Sequence, residues 1–135
     1  MKKASVGKSD VVKQLENEFD LLSHCDHEHI LKVYSMEKMG ESLGIIMERA
    51  DCDYINFWMD SYTNTNYTVN FEVHLSMLYQ IAKAMNYLHK ELRVCHNDIK
   101  MENILVKRAK HFMICDFGYA IKKNTEGEIS ESVDQ

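Results

Sequence analysis

The chain has 135 residues and a net charge of −5, from 16 basic and 21 acidic side chains. Hydrophobic residues make up 45% and charged residues 27%, which is the balance of a globular domain with a core of its own. This acidic balance argues against a general binder of nucleic acid or of anionic membranes. The four cysteines are scattered, with no C-x-x-C pair, so we expect reduced thiols and a cytoplasmic, intracellular location.

The chain begins with a predicted amphipathic helix. Residues 9–24, "SDVVKQLENEFDLLSH", have apolar side chains at steps of three and four, with Ser9 or Asp10 as the expected N-cap. Glu18 belongs to a neighbouring row of this helix, so its carboxylate lies beside the apolar stripe and not opposite it. The stripe consists of Val12, Leu15, Phe19 and Leu22.

The next segments predict two strands, a short helix and a loop. Residues 29–38 and 42–50 are rich in β-branched and other apolar side chains, and Gly40 between them indicates a turn. Residues 53–70, "DYINFWMDSYTNTNYTVN", predict a short helix followed by a polar loop.

The second half predicts a long helix and a β-hairpin. Residues 71–92 form the long helix, with Asn70 as its N-cap. Residues 103–107 and 111–117 are β-like runs on either side of the turn "RAK", and residues 122–135 are polar without periodicity. The expected apolar face of the long helix consists of Leu75, Leu78, Ile81, Ala82, Met85 and Leu88.

A polar stretch, "HNDIKMEN" at residues 96–103, lies between the long helix and the hairpin. Asn103 opens the hairpin and Asp116 closes it, so the two side chains are expected to lie close together. Two oxygen ligands of this kind, completed by water and phosphate oxygens, are a common way to hold Mg²⁺. Asp98 is then available to accept a proton, and Lys100 adds a positive charge at the same place. A base, a cation and metal ligands suit phosphoryl transfer.

Simpler interpretations remain open for these residues. Asp98, Asn103 and Asp116 are of types that also serve as turn and capping residues. The run "HCDHEH" at residues 24–29 contains zinc-ligating residue types, but structural zinc sites take ligands from separated pairs. We therefore interpret this run as a loop, and His96 as a core and hydrogen-bonding residue.

Two linked motifs resemble the protein kinase family. "VCHNDIKMENILV" is similar to its catalytic loop and "ICDFG" to its metal-binding segment, in the right order and at the right spacing. The resemblance implies that Asp98 is the catalytic base, that Lys100 stabilises charge, and that Asn103 and Asp116 bind Mg²⁺. A lysine two residues after Asp98 is the form found in serine/threonine kinases.

The same resemblance implies roles for residues in the first half of the chain. Glu18 corresponds to the glutamate of the family's helix C, and Lys2, sixteen residues before it, to the strand lysine that contacts the ATP phosphates. Both also have simpler interpretations, Glu18 as a solvated helix charge and Lys2 as a surface lysine. The adenine would lie beside Met47, as gatekeeper, Glu48, Ala50 and Leu105. The implied hydrophobic spine consists of Leu22, Val33, His96 and Phe117.

The sequence also departs from the family pattern. Asn97 stands where many kinases carry an arginine that pairs with a phosphate on the activation segment. Met101 replaces a frequent proline. No glycine-rich phosphate loop precedes Met1, and no "A-P-E" element occurs before Gln135, so we expect this chain alone to transfer phosphate poorly or not at all. Serine and threonine residues do lie in the tail, at Thr125, Ser130 and Ser132.

We therefore expect an α+β, protein-kinase-like two-lobe fold that is incomplete. Residues 1–50 would form part of the small lobe and residues 51–135 the start of the large lobe. The implied function is transfer of a phosphoryl group from ATP, with Mg²⁺, to a hydroxyl of a protein substrate. One alternative is a catalytically inactive half-kinase that binds another kinase or a regulatory protein, or acts as a decoy. Another is a gene fragment without a function of its own.

Overall fold

The computed structural model describes residues 2–5, 9–63 and 69–123, and this part of the chain combines helices with small antiparallel sheets. The helices are α1 Ser9–Ser23, α2 Tyr54–Thr63 and α3 Phe71–Tyr87, and a π-helical turn, Leu88–Leu92, continues α3. The strands are β1 Lys2–Ser5, β2 Val33–Met39, β3 Ser42–Met47, β4 Cys52–Asp53, β5 Val94–Cys95, β6 Ile104–Lys107, β7 His111–Ile114 and β8 Ile121–Lys122. This mixture confirms the predicted α+β class.

Helix α1 carries the apolar stripe that the sequence predicts. Leu15 and Leu22 are buried, and Val12 and Phe19 are half-buried. Glu18 is also buried, with only 3% of its surface exposed, so the carboxylate lies on the inner side of the helix. The helix already begins at Ser9, which places both predicted N-cap residues in its first turn and not before it.

The first sheet has the order β1-β3-β2 and is antiparallel throughout. Strands β2 and β3 form the predicted hairpin, and Gly40 at its turn has a φ of 62°, which glycine adopts without the cost of a Cβ contact. Ile45 of β3 is fully buried against Leu15 of α1. Apolar contact thus fixes α1 on one face of this sheet.

The second sheet has the order β4-β6-β7 and borders the main core. Tyr54, the first residue of α2, meets Phe112 edge to face with ring centroids 5.6 Å apart, and its hydroxyl lies 2.6 Å from His74 Nδ1. Arg108 and Ala109 turn the predicted hairpin with φ angles of 55° and 58°. The buried core consists of Leu22, Ile30, Tyr54, Met77, Ile81, Ala84, Leu88, Val94, Ile104, Val106, Phe112, Ile114 and Phe117.

Helix α3 begins as predicted but buries a different face. The Asn70 side chain accepts a hydrogen bond from the Val73 backbone N–H over 3.1 Å, which confirms the N-cap. The predicted apolar face is wrong for three of its six residues, because Leu75, Leu78 and Ala82 are exposed. Four residues of the helix and its π-helical extension are buried, namely Met77, Ile81, Ala84 and Leu88.

An exposed apolar surface runs over α2 and α3. Six large apolar side chains on these helices are between about half and three-quarters exposed, and we call them the outer helix surface. The four on α3 recur at helical spacing and so share one face of that helix, and an exposed apolar face is a common feature of contact sites. The six side chains are Met59, Tyr62, Phe71, Leu75, Leu78 and Tyr79.

A third, two-stranded sheet ties the end of the described chain back to the segment after α3. Strands β5 and β8 pair in antiparallel register, and the Lys123 N–H donates to the Arg93 carbonyl over 2.8 Å. The sequence did not predict these two-residue strands.

Residues 124–135, with Thr125, Ser130 and Ser132, lie outside the described part. Within that part, no helix has the length and apolar character needed to cross a bilayer.

Histidine 29 is a buried titratable group in this fold. Its Nδ1–H donates to the Phe112 carbonyl over 3.0 Å, while Nε2 lies 3.4 Å from a carboxylate oxygen of Glu28. Burial lowers the pKa of His29 from its usual 6.5, and His111 and Lys83 lower it further. The Phe112 carbonyl and Glu28 oppose this shift without reversing it. The folded state therefore favours the neutral imidazole.

We expect this histidine to make the fold less stable in mild acid. Because the pKa is lower in the folded than in the unfolded chain, the stabilisation is complete above pH 6.5 and is lost as the pH falls below that value. His29→Asn keeps a hydrogen-bond donor but does not titrate. It should reduce the slope of the unfolding free energy between pH 7.5 and 5.5 by up to about 1.4 kcal/mol per pH unit.

Urea denaturation at a series of pH values measures this slope. His89→Asn, at an exposed position of the π-helical turn, is the matched control. Equal slopes for the wild-type chain and His29→Asn would show that His29 titrates alike in both states.

Candidate active site

The polar stretch 96–103 is a loop that ends in one helical turn. Residues 96–100 have no regular secondary structure, with Asn97 at a φ of 63°, and Met101–Asn103 form a 3₁₀ turn that leads directly into β6. Asparagine tolerates this left-handed conformation better than most residues. The loop therefore adopts a left-handed conformation at Asn97 without needing glycine.

Asp98, Lys100 and Asn103 are brought together in this loop. The Asn103 Nδ2 group donates to the Asp98 carboxylate over 2.8 Å and to the Asp98 backbone carbonyl over 2.9 Å. Lys100 Nζ lies 3.1 Å from the same carboxylate oxygen, Oδ2. This hydrogen bond to Asp98 raises the pKa of Lys100, so the ammonium stays charged. Both contacts use Oδ2.

His96 is buried beside the loop and holds it through two hydrogen bonds, as expected for a core residue. Its ring is almost fully buried, and Nε2 donates to the Cys115 carbonyl over 3.0 Å. Nδ1 accepts from the Asp98 N–H over 3.3 Å, which requires the neutral tautomer protonated on Nε2. Burial lowers the pKa of His96 and so favours that form. The ring also meets Phe117 at a centroid distance of 4.7 Å.

The hairpin brings Asn103 into contact with Cys115, the residue before Asp116, so the predicted closeness of Asn103 and Asp116 themselves stays a prediction. The Cys115 N–H donates to the Asn103 carbonyl over 3.0 Å. Asp116 adopts a φ of 61°, and its Oδ1 accepts from the Gly118 N–H over 3.3 Å. An amide oxygen and a carboxylate from neighbouring positions are hard oxygen donors, which is the ligand chemistry that Mg²⁺ prefers. The residues present fit a magnesium site.

Helix α1 reaches the same segment through two side chains. The Phe117 N–H donates to Glu18 Oε1 over 3.3 Å, so Glu18 is an inward-facing hydrogen-bonding residue and not a solvated charge. The amide of Gln14 donates to the Gly118 carbonyl over 3.3 Å. Gln14 escaped the sequence prediction because an exposed glutamine on a helix belongs to no pattern. Its one available signal is the four-residue spacing from Glu18.

The structure gives the position of the Lys2 backbone. It pairs with Ile45 across β1 and β3, in the sheet against which α1 packs. Its side chain lies outside the described part of the chain, so its predicted contact with phosphate and with Glu18 stays a prediction.

The predicted adenine-side residues lie where β3 joins the second sheet. Met47 ends β3, and the Glu48 N–H donates to the Lys32 carbonyl over 2.7 Å. The Glu48 side chain forms an ion pair with Lys107 of β6. Ala50 follows within this connection. Leu105 pairs with Asp53 across β4 and β6, and it alternates with the buried Ile104 and Val106. Leu105 therefore lies on the side of the hairpin away from the buried Ile104 and Val106, whereas Met47 packs against Leu15 and Ile45.

The residues of the implied hydrophobic spine lie in or beside the main core. Leu22 and Phe117 share the main core, and Val33 packs against it. With the His96–Phe117 ring contact, these side chains link α1, the first sheet and the loop.

A separate cavity of about 410 Å³ lies between β4, α2 and the hairpin turn. None of the predicted site residues lines it. The walls are Asp51, Cys52, Phe57, Asp60, Val106, Arg108 and Ala109. The predicted site residues therefore lie outside this cavity. In the described ranges, no three His, Cys, Asp or Glu side chains cluster as a metal site, the run at 24–29 included.

The isosteric change Asn103→Asp tests how the loop is held. It replaces a donor with an acceptor about 3 Å from the Asp98 carboxylate, in a position that is 6% exposed. We expect the unfolding free energy at pH 7.5 to fall by about 1–3 kcal/mol. Repulsion raises the carboxyl pKa values of the folded pair, so part of the loss should be recovered as the pH falls to 5.

Chemical denaturation at both pH values provides the measurement. Asn86→Asp, at an exposed position of α3, is the control for a new charge alone. A loss of stability that is the same at both pH values would contradict the predicted carboxylate repulsion.

Comparison with known proteins agrees with this geometry. The family described as "Protein kinase domain" matches residues 1–134. An Aurora kinase of Candida glabrata is 32% identical over 118 residues, covering 87% of this chain and 31% of the relative. The serine/threonine-protein kinase CHK1 of Saccharomyces cerevisiae is 32% identical over 134 residues, covering 96% of this chain and 24% of the relative.

A third relative, the probable serine/threonine-protein kinase nek3 of Dictyostelium discoideum, is 36% identical over 121 residues, covering 87% of this chain and 11% of the relative. The chain thus spans less than a third of the length of these relatives. Its loop, its hairpin and the match along nearly all of its residues place it in the protein kinase family, of the serine/threonine type, with part of that family's α+β catalytic domain.

Proposed function

We propose that the chain supplies the catalytic and metal-binding part of a protein serine/threonine kinase, which transfers the γ-phosphoryl group of ATP to a protein hydroxyl. The observation that carries the proposal is the set of contacts around Asp98. Lys100 and Asn103 both bind Oδ2, so the carboxylate is held in one orientation by a cation and an amide. A positioned carboxylate of this kind suits a general base.

Each remaining residue has a role in this proposal. Asp98 accepts the proton of the substrate hydroxyl, and Lys100 offsets negative charge on the transferred group. Asn103 and Asp116 hold Mg²⁺, which neutralises charge on the phosphates when it is bound. These four residues come from one loop and one hairpin. Ligand binding therefore requires little further ordering of their side chains.

The first half of the chain completes the nucleotide site in the same proposal. Lys2 and Glu18 position the phosphates, and Met47, Glu48, Ala50 and Leu105 border the adenine. Support comes from the burial of Glu18 beside Phe117 and from the position of Leu105 on the side of the hairpin away from the core. Residues 1–50 act as the small-lobe part and residues 51–135 as the start of the large lobe. The four scattered cysteines form no disulfide, which favours an intracellular location.

The outer helix surface favours a second function. Its six exposed apolar side chains would suit a half-kinase that binds another kinase or a regulatory protein, without catalysis of its own. Stable association with such a partner, in a chain that binds no nucleotide, would support this function. A monodisperse chain that binds Mg²⁺–ATP would support the first.

Calorimetric titration with ATP, in Mg²⁺ and in EDTA, tests the proposal. We expect the wild-type chain to bind ATP more tightly with Mg²⁺. Asp116→Asn removes the charged metal ligand and should abolish most of this difference. Asp98→Asn is the matched control, because it changes the base and should leave Mg²⁺–ATP affinity within about threefold, a difference of less than 1 kcal/mol.

Either of two results would count against the assignment. One is ATP binding that is indifferent to Mg²⁺ in the wild-type chain. The other is an equal loss of affinity in Asp98→Asn and Asp116→Asn, since the two carboxylates would then have no separate roles.

A further inference from the structure

The cavity of about 410 Å³ beside the hairpin turn lies on the opposite face of β6 from Leu105. Val106 lines the cavity, and successive side chains of a strand point to opposite faces. Cys52 pairs with Val106 across β4 and β6, so its side chain lies on the cavity face as well. The cavity is therefore separate from the proposed adenine side, and an occupant would not compete with nucleotide.

The apolar part of the cavity wall is held in place by ring contacts and by a backbone hydrogen bond. The ring of Phe57 lies 6.2 Å from that of Tyr54 and 6.4 Å from that of Phe112, measured between centroids. The Asp51 N–H donates to the Val106 carbonyl over 2.8 Å. The wall is thus preformed, which lowers the cost of binding a ligand.

Three charged side chains surround this apolar space, and they come from three different segments. Asp51 directly precedes β4, Asp60 belongs to α2, and Arg108 lies in the hairpin turn. The Arg108 N–H donates to Asp51 Oδ2 over 2.7 Å, which fixes this carboxylate beside the turn. Among the described residues, none of these three side chains forms an ion pair. Charges of both signs thus line one cavity without pairing with each other.

The two carboxylates act on the same wall residue, Cys52. Burial raises the pKa of the Cys52 thiol, and Asp53, Asp51 and Asp60 raise it further. Phe57 and Asp60 are three residues apart on α2, so they share one face of that helix. A positive group of a ligand is therefore favoured near Cys52, whereas a negative group is favoured beside Arg108.

The hairpin turn contains two residues that its backbone geometry does not favour. Arg108 and Ala109 have φ angles of 55° and 58°, in a conformation for which such a turn usually uses asparagine or glycine. Both side chains line the cavity. Strained residues of this kind concentrate at ligand sites, so their presence indicates a use for these two side chains in the wall.

We propose that this cavity binds a free α-amino acid with an apolar side chain. In this arrangement the ammonium group lies between Asp51 and Asp60, and the carboxylate binds the Arg108 guanidinium, a pairing that suits two parallel hydrogen bonds. The apolar side chain packs on Phe57 and Val106, and an aromatic ligand gains a ring contact with Phe57. The cavity volume falls in the range of roughly 300–1,000 Å³ that small-molecule sites occupy. This inference goes beyond the proposed kinase activity and does not depend on it.

Titration calorimetry with L-phenylalanine and three analogues tests the proposal, in the wild-type chain without nucleotide. Phenethylamine lacks the carboxylate, 3-phenylpropionate lacks the ammonium group, and N-acetylphenylalaninamide lacks both charges. We expect phenylalanine to bind with a dissociation constant of about 1 mM or lower. Each singly charged analogue should bind roughly 3- to 10-fold more weakly, and the neutral analogue more weakly still.

Two variants at exposed positions separate the two charge contacts. Arg108→Gln should weaken phenylalanine binding roughly 3- to 10-fold and should not weaken phenethylamine. Asp60→Asn should weaken phenylalanine and phenethylamine by similar factors and should not weaken 3-phenylpropionate. Glu72→Gln removes a carboxylate at an exposed position of α3 and is the matched control, which should bind all four compounds as the wild-type chain does.

Several outcomes would overturn the proposal. One is no saturable binding of phenylalanine by the wild-type chain up to about 10 mM. Another is neutral-analogue binding as tight as that of phenylalanine, and a third is an equal loss for every compound in both variants. Displacement of phenylalanine by Mg²⁺–ATP would also contradict the assignment to this cavity. A chain that binds phenylalanine but not Mg²⁺–ATP would refute only the proposed kinase function.

Discussion

The hydrogen bonds of Asn103 are the constraint on which the rest of the site depends. Its side-chain amide donates to the carboxylate and to the carbonyl of Asp98, and its backbone carbonyl accepts from Cys115. One buried residue therefore joins the base-bearing loop to the strand that leads into Asp116. Leaving either group of Asn103 unpaired in the interior would cost about 1–3 kcal/mol, so the loop and the hairpin keep one relative position.

Apolar packing makes that position rigid. His96 rests against Phe117, and Phe117 shares the main core with Leu22 of α1. The parallel bridge between Ile30 and Ile114 adds backbone hydrogen bonds from the loop after α1 to the last residue of β7. The loop after α1 is thereby fixed to the strand that leads into the predicted metal ligand. Positioning by a preformed scaffold is what phosphoryl transfer requires of a protein, because most of the catalysis is orientation and charge neutralisation.

Much of this arrangement could be predicted from the sequence, because local signals determine it. The hairpin around residues 108–110 brings its own ends together, and Asn70 caps α3 by its side-chain chemistry. The buried face of α3 could not be predicted. Both the set with Leu75, Leu78 and Ala82 and the set with Met77, Ile81 and Ala84 recur at helical spacing, so only the neighbouring sheet decides between them.

The short strands and the contacts of Gln14 with Gly118 and of Asn97 with Tyr119 also escaped prediction. A two-residue strand such as β5 or β8 shows no alternation, so its pairing is visible only in three dimensions. Gln14 and Asn97 are exposed amides without periodicity, and their role comes entirely from the carbonyls that they reach. Motifs thus identified the residues predicted to act on the substrate, whereas the residues that hold them in place required the fold.

The most direct test of the account is thermal unfolding of the wild-type chain and Asp116→Asn, each with and without Mg²⁺–ATP. If the loop and hairpin form a nucleotide site in this chain, ligand at about 100 times its dissociation constant should add about 2.7 kcal/mol to the unfolding free energy. Asp116→Asn should show little of this gain. A single cooperative transition that does not move with Mg²⁺–ATP, or one that moves equally in both proteins, would contradict the account.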